Sequence, residues 1–139
     1  MIEDNISCEL KNDLHELGAL CHHIERFVTA HALPTRIVFD LNLVLEEVFT
    51  NIVRHGFMDH KDHSIRISVS YEQGAVIVQV EDDGIPFNPM EAKQPDLKCP
   101  LEQRHVGGLG IHMVKRIMDD IAYERKGRKN ILTMKKVVR

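Results

Sequence analysis

The 139-residue chain, 43% hydrophobic and 28% charged, fits one globular domain spanning 1–139 with enough apolar residues for a buried core. A formal net charge of −3 gives no electrostatic footprint for nucleic acid, and the basic stretch from Arg125 to Lys136 is short and interleaved with apolar residues, as on a solvated strand face. No apolar run approaches a membrane span and no signal pattern opens the chain, so a soluble, cytoplasmic protein without a membrane partner is expected, with Cys8, Cys21 and Cys99 as free thiols.

Ile6, Cys8 and Leu10 alternate with Ser7 and Glu9, the period of a half-buried strand at a sheet edge. Asn12 or Asp13 is placed to cap a first helix in which Leu14, Leu17, Cys21, Ile24 and Val28 recur, ending near Ala32. Leu33-Pro34-Thr35 breaks the chain, with Pro34 suited to the first turn of a second helix. There Ile37, Leu41, Val44, Leu45, Val48 and Ile52 form one apolar stripe. Glu47 and Asn51 lie one turn apart on its border, where their side chains meet, whereas Glu46 points to solvent. Gly56 should end the helix in a left-handed cap.

A polar loop from Phe57 to His63 follows. His55, His60 and His63 with Asp59 and Asp62 match no common metal spacing, and His55 should project into the apolar stripe. Ile65, Ile67, Val69 and Tyr71, then Val76, Val78 and Val80, predict a hairpin across Gln73-Gly74. Its second strand runs into Glu81-Asp82-Asp83-Gly84-Ile85-Pro86. Pro89, Pro95 and Pro100 exclude a long helix, so 88–106 reads as a lid or binding loop, mobile without its ligand. Gly107-Gly108-Leu109-Gly110 opens a third helix that buries Ile111, Val114, Ile117 and Met118. Ile121–Tyr123 and Ile131–Met134 form a last hairpin across Lys126-Gly127-Arg128. The order predicts an α+β, two-layer sandwich with three main helices on one face of a mixed, mostly antiparallel sheet.

Three segments thus stand in a fixed order: Glu47-x-x-x-Asn51 on a helix, Asp82-x-Gly84 at a strand end, and Gly107-Gly-Leu-Gly110 at a helix start. The order resembles the boxes of the GHKL superfamily, with its Bergerat or histidine-kinase-like ATPase fold. Within it the chain is most similar to the small bacterial anti-sigma factor serine/threonine kinases. The string from Glu47 to Phe57, Asp-Asp-Gly-Ile-Pro-Phe-Asn-Pro from Asp82, and the run from Gly107 through Asp119-Asp120 to Met134-Lys135 carry the likeness. The second glycine common in the middle box is Pro86 here, and a threonine that many members place behind the adenine is replaced by Asn130.

The resemblance implies Mg-ATP as cofactor, and the residue chemistry agrees with it. Asp82 would accept a hydrogen bond from the adenine amine, and Gly84 would leave room for the ring. Asn51 would supply a neutral oxygen to Mg²⁺. Gly107, Gly108 and Gly110 would bring backbone N–H groups to the phosphates at a helix N-terminus, with Arg104 and His105 reaching the γ-phosphate. Glu47 would be the base for the attacking hydroxyl. The family's partners are a sigma factor and a STAS-type anti-anti-sigma protein, and its members point to a homodimer, here through the first strand or helix. The alternative function is a regulatory module that binds ATP to set its lid and transfers no phosphoryl group.

Overall fold

The computed structural model describes residues 5–91 and 108–139, and the chain folds there around its second helix. In α2 (Thr35–His55) the six residues of the expected stripe are all buried and lie on the sheet. Each such side chain contributes roughly 1.5–3 kcal/mol. Together they outweigh the burial of Asn51, a polar side chain drawn under by the same helix at 3% exposure.

A short 3₁₀ turn, Leu14–Glu16, precedes α1 (Leu17–Ala30), and the Asp13 carboxylate caps it by accepting from the His15 backbone N–H at 2.9 Å. Leu20, Ile24, Phe27 and Val28 form the buried face. Cys21, expected on that face, is exposed: the 3₁₀ turn breaks the phase set by Leu14, and Leu20 takes its place. The helix stops at Ala30, short of Ala32, because Ala32 turns to a φ of 52° and the Leu33 N–H bonds back to the Val28 carbonyl. Pro34 stands just outside α2 with an extended ψ of 144°, and its carbonyl accepts from Ile37 N–H.

The sheet comprises β1 (Asn5–Lys11), β2 (Ser64–Glu72), β3 (Ala75–Asp82), β4 (Asp120–Lys126) and β5 (Lys129–Val137), in the order β1-β2-β3-β5-β4. Every pairing is antiparallel, where a mixed sheet was expected. The reason is topological. The passage from β3 through α3 (Gly108–Ile117) to β4 is a parallel crossover, but β5 returns and inserts itself between the two. As expected, β1 lies at an edge. Gln73 and Gly74, at φ 50° and 78°, turn β2 into β3 in the primed sense that suits strand twist.

Ile65, Ile67, Val69, Val76, Val78, Val80, Leu132 and Met134 face the helices. Helices α1 and α3 flank α2, and α3 contributes Ile111 and Val114, with Met118 just past its end. The Lys136 ammonium donates to the Ile117 carbonyl at 2.8 Å, placing a cation at the carboxyl end of α3 and beside Asp40. No helix among the described residues is long and apolar enough to cross a membrane.

Candidate functional site

Helix α2 presents Glu47 and Asn51 toward α3, the side opposite α1. The Asn51 amide donates to Glu47 Oε1 at 3.4 Å, a long bond that leaves Asn51 Oδ1 without a donor among the described residues. Against this pair lies the first turn of α3. An ideal Cβ at Gly110 would fall 2.2 Å from Glu47 Cδ and 2.4 Å from its Oε2, so the bare face of Gly110 is the seat of the Glu47 carboxylate. The sequence gives Gly110 a role in close approach to phosphate; the structure adds this second reason for a glycine. Burial holds the Glu47 carboxyl above its ordinary range, with Glu46 in the same direction, while Asn51 and Arg54 oppose the shift.

Asp82 ends β3 and is 4% exposed. Its Oδ1 accepts from Gly84 N–H at 2.9 Å and from the Asn130 amide at 3.0 Å. Burial pushes its carboxyl upward too, against the pull of those two donors. Gly84 does not leave open room: its missing side chain is replaced by the Gly56 carbonyl, 2.2 Å from where a Cβ would stand. The same carbonyl accepts from Ile85 N–H at 2.9 Å. Gly56 can play this part because it stays right-handed, at φ −85°, rather than taking the expected left-handed cap. The end of α2 thereby fastens the segment after β3.

Asn130 lies opposite Asp82 in the β3–β5 register, and Arg125, opposite Asn130 on β4, donates to the Gly84 carbonyl at 2.8 Å. Tyr123, whose hydroxyl donates to Asn130 Oδ1, Arg125 and the Gly56 carbonyl were not foreseen as parts of the site. A two-residue turn at Gly127-Arg128, in place of the three-residue turn read from the sequence, pairs Arg125 with Asn130, and that count was the available signal.

His55 does not enter the apolar stripe. It stands at the last turn of α2, past the sheet, exposed and with its ring 6.0 Å from Phe87. His63 places Nε2 2.9 Å from Asp59 and Nδ1 3.0 Å from Asp83, stacked on Phe57 at 4.5 Å. Among the described residues no three His, Cys, Asp or Glu side chains are gathered for a metal. A cavity of about 440 Å³ beside His63 is lined by Glu9, Arg66, Glu81 and Lys129, which pair off as Arg66–Glu9 and Lys129–Glu81 at 2.8 Å each. Its charges are paired with each other and neither Glu47 nor Asn51 lines it, which sets it apart from the site.

Gly108 is the first residue of α3. Arg104, His105 and Gly107 lie outside the described residues, as does most of the expected lid. Its beginning is described: Pro89–Glu91 forms a 3₁₀ turn with Pro89 and Met90 buried, so residues 88–91 belong to the body of the domain.

A two-layer sandwich that sets a helix-borne Glu and Asn beside a second helix N-terminus, with a buried Asp at a neighbouring strand end, defines a nucleotide-binding ATPase domain. The chain belongs to the histidine kinase-like ATPase domain family, whose model matches residues 10–136. It is 28% identical over 111 residues to the serine/threonine-protein kinase BtrW of Bordetella bronchiseptica, covering 80% of this chain and 78% of that protein. It is 30% identical over 86 residues to the serine-protein kinase RsbW of Listeria monocytogenes, covering 59% of this chain and 55% of that one. With the anti-sigma F factor of Bacillus velezensis it shares 26% identity over 124 residues, 83% of this chain and 84% of that protein. The crystal structure of the RsbU and RsbW domains of a Mycobacterium tuberculosis protein superposes with a TM-score of 0.70 at 12% identity, over 98% of this chain and 33% of that one, which shows the shared fold.

Proposed function

We propose that this protein is an Mg-ATP-dependent anti-sigma factor kinase that phosphorylates a serine or threonine of a STAS-type anti-anti-sigma protein and binds a sigma factor. The observation that carries it is the Glu47 carboxylate, seated on Gly110 at the start of α3 with its basicity raised by burial. A module that only senses ATP has no use for such a base. The names borne by the relatives support the same reading.

The residues fit a bound Mg²⁺. Asn51 Oδ1 is a neutral oxygen with no donor among the described residues, the kind of hard ligand that complements phosphates and water. Bound there, the metal would supply charge neutralisation for the phosphates. Asp82 orients the adenine through its N6 amine, and the first N–H groups of α3 face the phosphate chain. Glu47 then accepts the proton of the partner's hydroxyl as its oxygen bonds to the γ-phosphorus and the bridging bond to the β-phosphate breaks. ADP and a phosphoserine or phosphothreonine result. The domain works as a homodimer, with the open edge of β1 beside α1 as the contact.

The test is incubation of the protein with γ-labelled ATP, Mg²⁺ and the STAS proteins of its source cell. One small protein should become labelled on serine or threonine and lose the label when Glu47→Ala replaces the wild type. ATP binding without any labelled protein would favour the regulatory alternative.

A further inference from the structure

Steps of four residues along α2 advance about 6 Å and turn about 40° round the helix axis. Phe39, Leu43 and Glu47 therefore form one row, which begins on the outer face of the helix and ends at the half-buried Glu47 on the flank toward α3. Phe39 is 69% exposed and Leu43 40%. The two are among four large apolar side chains left exposed in the described residues, and they stand on neighbouring turns of one helix. Neither serves the core, whose stripe is complete with Ile37, Leu41, Val44, Leu45, Val48 and Ile52. Exposed apolar residues scattered singly need no explanation, but a pair in line with the catalytic carboxylate is a continuous feature of the surface.

Size decides what covers this pair. A small hydroxyl compound held at Glu47 would leave both side chains in water. A folded protein that brings its hydroxyl to Glu47 through an interface of ordinary size covers about 800 Å² of this chain, a patch about 30 Å across. Leu43 and Phe39 lie only about 6 and 12 Å from Glu47 along the axis, inside such a patch. Its centre excludes water and is where aromatic and aliphatic anchors contribute most.

We propose that Phe39 and Leu43 form the docking ridge for the protein whose hydroxyl is phosphorylated, which meets them with an apolar surface of its own. This deepens the proposed function and rests on its assignment of Glu47 as the base. The ridge touches no reacting atom, so its part is to select and hold the protein substrate. Contacts made there are equal in the ground and transition states, and losing them raises KM for that protein while kcat stays in place.

The experiment takes the purified STAS protein that wild type labels from γ-labelled ATP. It measures kcat and KM for that protein with wild type, Phe39→Ser, the double variant Phe39→Ser/Leu43→Ser and Met58→Ser, with calorimetry for ATP affinity and thermal unfolding to confirm the fold. KM should rise roughly tenfold in Phe39→Ser and further in the double variant, with kcat and ATP affinity within about twofold of wild type. Met58, 74% exposed in the loop after α2 and outside the row, controls for the loss of any exposed apolar side chain, and Met58→Ser should keep the wild-type KM. If the double variant does not fold, Phe39→Ser decides the matter, since its side chain is mostly in solvent already. An unchanged KM in folded Phe39→Ser, even where that variant loses its hold on a sigma factor, would overturn this inference alone. An equal rise in Met58→Ser, or a KM change matched by a fall in ATP affinity, would do the same. A wild type that binds ATP and labels no protein would overturn the proposed function and this inference with it.

Discussion

Glu47 fills the space that a side chain at Gly110 would occupy, with its Cδ 2.2 Å from an ideal Cβ there. The obstructing atoms are the end of a flexible side chain, so Gly110→Ala should fold and displace the carboxylate instead. Transfer should then fall by roughly two to four orders of magnitude, the worth of a positioned base, while the melting temperature stays close to wild type. Single-turnover rates with Mg-ATP measure this, and a wild-type rate in Gly110→Ala would remove the link between the two residues.

Glu47→Ala and Asn51→Ala should fail differently. The first should retain nucleotide and lose transfer to a similar degree. The second should also weaken Mg²⁺-dependent affinity, by roughly 10- to 100-fold, because a neutral oxygen ligand is gone. Since burial raises the Glu47 carboxyl in the free protein, the acid limb of kcat/KM should lie above the ordinary glutamate value of about 4.3, with the rate falling as pH drops through it. An acid limb at the ordinary value, or equal nucleotide affinities in the two variants, would contradict these assignments.

How far the sequence carried this site depends on distance along the chain. Glu47 and Asn51 are a matter of helical period, and Asp82 of its place at the end of an alternating run, so both were legible. The Gly56 carbonyl against Gly84 joins residues 28 apart, and Asn130 against Asp82 spans 48; neither contact follows from local pattern. The shift from Cys21 to Leu20 on α1 has the opposite origin, a local change of helix type that apolar spacing alone does not reveal. Sheet order lies in between: each hairpin was readable, but the insertion of β5 between β3 and β4 was not.

Asp82→Asn should abolish detectable ATP binding in a folded protein. The asparagine oxygen can keep both donors that Asp82 Oδ1 now accepts, which turns its NH₂ toward the adenine amine, donor against donor. Calorimetry with undiminished ATP affinity in a folded Asp82→Asn protein would count against the adenine assignment.

The loop after α2 should show a pH-dependent latch at His63. The Asp59 hydrogen bond is the main influence raising this imidazole above its usual value, desolvation works against it, and Asp83 adds to the rise. The cavity beside it also holds Glu9, Asp62 and Glu81 and, of opposite charge, Lys11, Arg66 and Lys129, of which Arg66–Glu9 and Lys129–Glu81 pair with each other. A group whose folded pKa is raised contributes stability that is complete below its unfolded value, about 6.5, and is lost as pH rises through the folded value. Asp59 has the opposite sign. Lys61 N–H and then His63 depress its carboxyl, so its share is present above about 3.9 and is lost as pH falls through the lower folded value. The pair is therefore strongest between roughly pH 4 and 6.5. Stacking on Phe57 adds a cation–π contact under the same conditions. His63→Gln should lower the melting temperature most near pH 5.5 and progressively less toward pH 8.5, about a unit or two either side of the ordinary imidazole value. Because Asp83 adjoins Asp82, amide exchange over 57–63 and 83–85 should quicken in the same direction. A deficit that is constant across this range would show that His63 acts by packing alone.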